Sequence, residues 1–313
     1  MKDFIVELAF LLFFFIILPL ILIYSLSGNL NDTEGKISVY FCEKDEVNYL
    51  DIEEYIVNVV AAEMPAVFSD EALKAQAVAA RTYAKRKINT SAETHKGADL
   101  CTDFAHCQAY IDNESLKKNW GDEYESNMEK IKKAVQDTSG EFLSYDGECA
   151  MTAFHACSDG TTENASDVWG GEVPYLVCVE SPGDLEKRDY MSSVSVTNEE
   201  FKKKLKEETG TEPDNNAAPI GAISLTEGGN VEAVEFFGIK IKGTDVRKLF
   251  GLKSSSFMVE YTGDAMVFNV CGSGHGVGMS QYGAEAMGKR GKSYAEILAH
   301  YYPGTVLEKL SEL

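Results

Sequence analysis

The chain has 313 residues, 44% of them hydrophobic, enough to bury a core in one large or two modest domains and too apolar for a disordered polymer. Its 50 acidic residues outnumber 29 basic ones, giving a formal charge of -21 at pH 7 that no local Lys/Arg stripe offsets. Such a surface repels a phosphate backbone, so nucleic acid is excluded as a partner.

Residues 8–26, LAFLLFFFIILPLILIYSL, are nineteen residues without a charge, about the length that crosses ~30 Å of hydrocarbon. The stretch is longer than the apolar part of a usual signal peptide, and Ser25-Leu26-Ser27 matches a cleavage site only weakly, which favours an uncleaved anchor. A core helix fits badly, because the stretch is apolar all round and a polar tether follows it to Lys36. Lys2 stands against Asp3 and Glu7, so the flanking charge says little about orientation, and export of the long C-terminal part is the expected outcome. The expected organisation is a single-pass membrane anchor and tether over 1–36, then an extracytoplasmic domain over 37–313.

After the tether, 36–43 reads as a strand and 50–63 as a helix ended by Pro65. Ser69 caps a second helix, DEALKAQAVAARTYAKRK, with acids in its first turn, bases in its last and an alanine-rich face that admits a close neighbour. A helical hairpin around Glu63 results. A polar loop spans 89–113, and a helix follows over 123–138. Strands are expected at 142–154, 175–179, 191–196, 231–241 and 256–271, where β-branched and aromatic runs are separated by Gly, Asp and Pro. Helices are expected at 197–209, 245–250, 280–290 and 293–301. Runs of strands with segregated helices predict an α+β fold rather than a doubly wound sheet, with no linker after residue 37.

Glu63 shares a helical stripe with Val60, Val59, Ile56 and Ile52, so its carboxyl is expected to be partly desolvated. It also sits in the last helical turn, where the negative end of the dipole opposes ionisation. Both effects raise its pKa, which suits a group that must protonate a departing glycosidic oxygen. The competing expectation is a carboxylate neutralised by Arg81 or Lys74 on the second helix.

The stretch from Val270 to Gly283 follows a strand and opens a helix, but it lacks both G-x-G-x-x-G and Gly-Lys-Ser/Thr, so a nucleotide site is disfavoured. Alternate glycines permit close backbone approach, and Ser273, His275, Ser280, Gln281 and Tyr282 offer hydrogen-bonding and stacking groups suited to a sugar. A tight turn around a satisfied histidine is the bland alternative.

His95, Cys101, His106 and Cys107 lie within thirteen residues, a donor set that suits zinc although H-x5-C-x4-H-C is no standard finger. Seven cysteines cannot all pair within one chain, and with two nearby histidines this leans toward metal. Export instead favours a Cys101–Cys107 disulfide. His155 and Cys157 could supply one further ligand at most.

Ala62-Glu63-Met64-Pro65, the segment EALKAQA at 71–77, Ala80-Arg81-Thr82-Tyr83 and Cys107-Gln108-Ala109-Tyr110 resemble blocks of the stage II sporulation protein D family. Phe154-His155, Asp159-Gly160-Thr161-Thr162-Glu163-Asn164, Asp167-Val168-Trp169-Gly170-Gly171 and the segment SGHGVGMSQYGA at 273–284 continue the resemblance in order. Cys157 departs from it, standing where Ser or Thr is expected. The resemblance implies a lytic transglycosylase of sporulating bacteria, held in the mother-cell membrane and thinning septal peptidoglycan beside stage II sporulation proteins P and M. It places the catalytic glutamate on Glu63 and groove residues on Arg81, Ser273, His275, Ser280, Gln281 and Tyr282. On this view one carboxyl protonates the oxygen between N-acetylmuramic acid and N-acetylglucosamine, then receives the muramyl C6 hydroxyl proton, leaving a 1,6-anhydro end. A hydrolase with a distant second carboxylate, or a glycan-binding module that stimulates an amidase, are the rival expectations.

Overall fold

The computed structural model describes residues 36–88, 93–186 and 190–309. The apolar stretch 8–26 and the tether up to residue 35 lie outside the described residues. Among the described residues no helix is long and apolar enough to cross a membrane.

Strand β1 (Lys36–Phe41) pairs antiparallel with β2 (Glu46–Asp51), an element that the sequence pattern did not show. Asp51 ends β2 and caps α1 (Ile52–Glu63) by accepting the N–H groups of Glu53 and Glu54, so the helix begins two residues later than expected. Helix α2 (Asp70–Lys87) starts at the Ser69 cap as predicted. Strand β3 (Leu100–Cys101) then runs parallel to β1. Helix α3 (Asn113–Trp120), capped by Asp112, falls in the segment expected to be loop, and α4 (Tyr124–Asp137) follows close to its expected place.

Strands β4 (Glu141–Tyr145) and β5 (Glu148–Cys149) belong to one small sheet, β6 (Phe154–His155) pairs in parallel with a strand near the C-terminus, and α5 (Ala165–Trp169) is a single turn. The strand expected at 175–179 does not form. There the backbone N–H groups of Cys178 and Val179 donate to the side chains of Asn164 and Thr162, which take the place of a neighbouring strand.

Strand β7 (Met191–Thr197) and helix α6 (Asn198–Thr209) follow as expected. Strands β8 (Ile223–Leu225), β9 (Val231–Phe236) and β10 (Ile239–Lys242) form one antiparallel sheet. The stretch expected as one strand over 231–241 is a hairpin, because Phe237 and Gly238 both take positive φ and close a two-residue turn. After α7 (Gly243–Phe250), β11 (Ser256–Tyr261) and β12 (Ala265–Cys271) likewise form a hairpin, and β12 lies between β11 and β7. Strand β13 (Met279–Ser280), helices α8 (Gln281–Lys289) and α9 (Tyr294–Tyr301), and β14 (Val306–Lys309) beside β4 complete an α+β fold.

Among the described residues, the stretch 37–313 that was expected as one unit holds two hydrophobic cores. In the first, α2 is central, packed by α1, α4, α8, α9 and β4. Its buried Ala72, Ala75, Ala79 and Ala80 have no bulk beyond Cβ and allow these close approaches. The second is an aromatic stack in which Phe201 meets the rings of Phe236, Phe250 and Phe268 at 4.9, 4.8 and 6.3 Å.

The lobes meet where the chain after β6 runs beside the glycine-rich segment. Cys157 bridges Ser273 there and Glu163 bridges Val277. Glu163 is 1% exposed, accepts Thr226 Oγ1 and Asn230 N from the second lobe at 3.0 and 3.1 Å, and lends its own N–H to Gly276 O at 2.8 Å. Burial, with Asp159 and Asp167 nearby, pushes its carboxyl up to about 7. A folded pKa raised above the unfolded one gives stability that is full below the unfolded value and lost as pH rises through the folded one. The melting temperature should therefore fall from pH 6 to pH 8, and Glu163→Gln should flatten that fall. Parallel declines in both proteins would exclude Glu163 as its source.

Candidate active site

Glu63 ends α1 beneath the fully buried Val59 and Val60 and precedes Met64-Pro65, so its carboxyl leaves the apolar face where the helix stops. One oxygen accepts Ala109 N at 2.8 Å and the other accepts a longer contact from Gln281 Nε2 at 3.4 Å. Burial raises its pKa, opposed by these two donors. No salt bridge to Glu63 occurs among the described residues. Lys74 pairs with Glu71 and Asp137, and Arg81 with Glu53, so the expected neutralisation by either cation does not occur.

The carboxyl opens onto a cleft of about 690 Å³ in which it is the sole carboxylate among the described lining residues. Tyr83, Phe104, His106 and Cys107 form one wall; His155, Trp169, Arg247 and His275 belong to another set of segments. Trp169 packs on His275 at 5.1 Å between ring centroids, and His275 on His155 at 5.8 Å. Both imidazoles are drawn below their usual range, to about 4 for His155 and about 3 for His275, chiefly by burial. Each is therefore neutral at physiological pH. His155 Nδ1 donates to Val277 O, leaving its buried Nε2 with no partner among the described residues.

Several residues assigned to the groove by resemblance are elsewhere. Arg81 is 2% exposed and does not line the cleft. Its Nε and one terminal nitrogen grip Glu53 at 2.7 and 2.6 Å, while its remaining donors reach Glu141 O and Val135 O. It joins α1, α2, the end of α4 and the start of β4. Ser273 exchanges backbone hydrogen bonds with Cys157. Ser280 is fully buried, donating to Asp184 at 2.5 Å and capping α8. Tyr282 packs edge-on against Phe68 at 5.0 Å, away from the cleft lining. Gln281 touches Glu63, and His275 lines the cleft with Gly274.

The glycine-rich segment thus packs against its own chain more than it frames a ligand. Gly278 has φ +72, and a Cβ there would lie 2.1 Å from Ala153 O. At Gly274, φ +114, the clash would be with His155 Cβ at 2.6 Å. Bare backbone at these positions seats β13 beside β6 and aims His275 into the cleft.

His95, Cys101, His106 and Cys107 converge, their ligand atoms all within 4.8 Å of one another. Sulfur–nitrogen separations are 3.5, 3.7 and 3.9 Å, and His95 Nε2 lies 2.6 Å from His106 Nδ1. Tetrahedral bonds of the usual Zn–S and Zn–N lengths give an S–N edge of about 3.6 Å, which these separations match, and an N–N edge of about 3.3 Å, which a small parting of the two imidazoles would reach, so these donors could hold a zinc ion. Among the described residues no disulfide joins any of the seven cysteines, and the pair His155 and Cys157 lies outside the cluster. His106 and Cys107 line the cleft as well, and Ala109, two residues on, supplies the N–H to Glu63.

The profile of the family described as Stage II sporulation protein matches residues 42–145, which include Glu63 and the whole Cys/His cluster. Over 275 residues the chain is 40% identical to Stage II sporulation protein D of Bacillus subtilis (strain 168), covering 87% of this chain and 79% of that protein. The chain belongs to the stage II sporulation protein D family. The corresponding protein of Bacillus amyloliquefaciens is 38% identical over 278 residues, 88% of this chain and 79% of its own length. This family member is also similar to the Amidase enhancer of Bacillus subtilis (strain 168), at 28% identity over 299 residues, 80% of this chain and 39% of that protein.

Arg247, Tyr83, Phe104 and Trp169 were not singled out as site residues from the sequence. Tyr83 and Trp169 lie within motifs that carry the family resemblance, whereas Arg247 sits in an unremarkable short helix and nothing local marks it. Asp184, which accepts Ser158 N, Ser158 Oγ and Ser280 Oγ at 2.7, 2.5 and 2.5 Å, had no sequence signal either.

Proposed function

We propose that the chain is a lytic transglycosylase that cuts peptide-free peptidoglycan strands between N-acetylmuramic acid and N-acetylglucosamine, with Glu63 as acid and then base. The observation that carries this reading is a desolvated, unpaired carboxyl standing alone among the described lining residues of the cleft. A hydrolase of the usual kind needs two carboxylates flanking the bond, whereas an intramolecular attack by the muramyl C6 hydroxyl needs one group that gives a proton and takes one back. The neutral imidazoles and Trp169 suit an uncharged sugar ring. Incubating the full chain in detergent with peptide-free strands should give 1,6-anhydro ends by mass spectrometry. Reducing ends would rule this chemistry out.

A second reading, a glycan-binding module that stimulates an amidase, is favoured by the likeness to the amidase enhancer. It predicts strand binding with no new chain ends, and faster release of stem peptides when an amidase is added.

We further assign zinc to His95, Cys101, His106 and Cys107. When bound, the ion supplies a structural crosslink. The protein's own part is to hold residues 95–107 so that Ala109 N meets Glu63 and Phe104 stands at the cleft mouth. Elemental analysis should find one zinc per chain, lost in Cys101→Ser. A metal-free chain with Cys101 bonded to Cys107 would overturn the assignment.

Residues 8–26 are proposed to anchor the protein in the mother-cell membrane, with the enzyme facing the septal wall beside stage II sporulation proteins P and M.

A further inference from the structure

Arg247 projects from α7 of the second lobe into the cleft that Glu63 enters from the first. Among the described residues it has no salt bridge and its side chain no hydrogen-bond partner, and it is the only Arg or Lys lining the cleft, where His155 and His275 are held neutral. It is partly desolvated, and burial draws its pKa below the usual arginine range. Its charge reaches His155 and His275, and it is absent from the influences on Glu63. It shares the cleft lining with His155 and His275, and among the described residues no salt bridge joins it to Glu63. In a chain of net charge -21, a half-buried guanidinium left without an acid is unusual. Its five donors in a planar fork match a carboxylate in bidentate fashion.

Resting on the transglycosylase reading, we propose that Arg247 binds the lactyl carboxylate of N-acetylmuramic acid and thereby selects strands from which the stem peptide has been removed. While a stem peptide is attached, that carboxyl is an amide and carries no charge. Amidase cleavage of the lactyl amide adds water across the C–N bond, frees the peptide amine and leaves a monoanion. One isolated cation suits one such charge and not a polyanion. The same contact would fix which sugar faces Glu63, because N-acetylglucosamine has no lactyl group.

The test uses the full chain in detergent carrying Glu63→Gln, so that strands are bound without turnover. Binding of peptide-free strands with free lactyl carboxylates is compared with that of the same strands converted to methylamides. The free acids should bind about tenfold more tightly or better, as expected for one charge-assisted pair, and the preference should shrink as salt is raised. Adding Arg247→Gln should erase the preference, and Arg247→Lys should restore part of it. Equal binding of acid and methylamide by the Glu63→Gln chain would overturn the proposal without any Arg247 variant, and so would a preference that survives Arg247→Gln. Turnover by the unmutated chain is scored separately. Anhydro ends without acid preference sink the Arg247 site and leave the enzyme; acid preference without cleavage sinks the enzyme and leaves the site. Failure of the Glu63→Gln chain to bind either strand overturns the Arg247 site, and the absence of cleavage by the unmutated chain overturns the enzyme.

Discussion

Glu63→Gln should lower strand cleavage by a factor of about 10²–10⁴ or more, the range for loss of a positioned general acid and base, while the protein stays folded. The amide keeps the shape of the side chain and an oxygen for Ala109 N, but it cannot release a proton to the glycosidic oxygen or accept one from the C6 hydroxyl. Burial holds the carboxyl above its ordinary range, so the acid form persists to higher pH than in an exposed glutamate. Cleavage should therefore decline as pH rises through that raised pKa. Stability follows the same sign: the contribution is full below the unfolded pKa and lost as pH rises through the folded one. Near neutral pH the variant should melt no lower than the parent, and higher where the parent carboxyl is ionised. Full activity in Glu63→Gln would remove this residue from the chemistry. A variant both inactive and much less stable would mean that the loss reflects unfolding.

Glu53→Ala is expected to destabilise the protein by about 3–5 kcal/mol, toward the lower end because Glu53 is 28% exposed. The change strands the guanidinium of Arg81, which is 2% exposed and left with only two backbone carbonyls, Glu141 O and Val135 O. Glu53 also accepts Gly140 N, so the turn between α4 and β4 loses a partner at the same time. Denaturant unfolding should show a lowered midpoint with little change in slope. Strand affinity of the folded fraction should not change. A variant with unaltered stability but weakened strand binding would return Arg81 to the groove, where the family resemblance had placed it.

The helical hairpin was legible in the sequence because its signals are local. Ser69 is a good cap, the charges at the ends of α2 complement its dipole, and the apolar stripe of α1 has the helical period, although the Asp51 cap that sets where α1 begins was missed. Glu63 on that stripe at the helix end was enough to predict a raised pKa. Four Cys/His ligands within thirteen residues converge because a short loop cannot carry them far apart. The two hairpins over 231–242 and 256–271 read as single strands: in the first, Phe237 is an unusual residue for a positive φ and hid the turn, whereas in the second the turn residues Thr262-Gly263-Asp264 stand between two apolar runs and were passed over. Strand β2 and helix α3 were hidden by polar surroundings, and the segment 175–179 had strand composition but no free partner strand.

The sequence by itself determined the α+β class, the chemistry available at Glu63 and the donor set of the Cys/His loop, since each depends on residue type and on neighbours a few positions away. Only the tertiary structure decided which side chains face the cleft. Arg81 turned inward to Glu53, Ser280 to Asp184, and Arg247 came in from a lobe almost two hundred residues along the chain from Glu63. A motif fixes a residue's identity, whereas its direction depends on which packing partner satisfies its charge or hydrogen bonds, and those partners are distant in sequence.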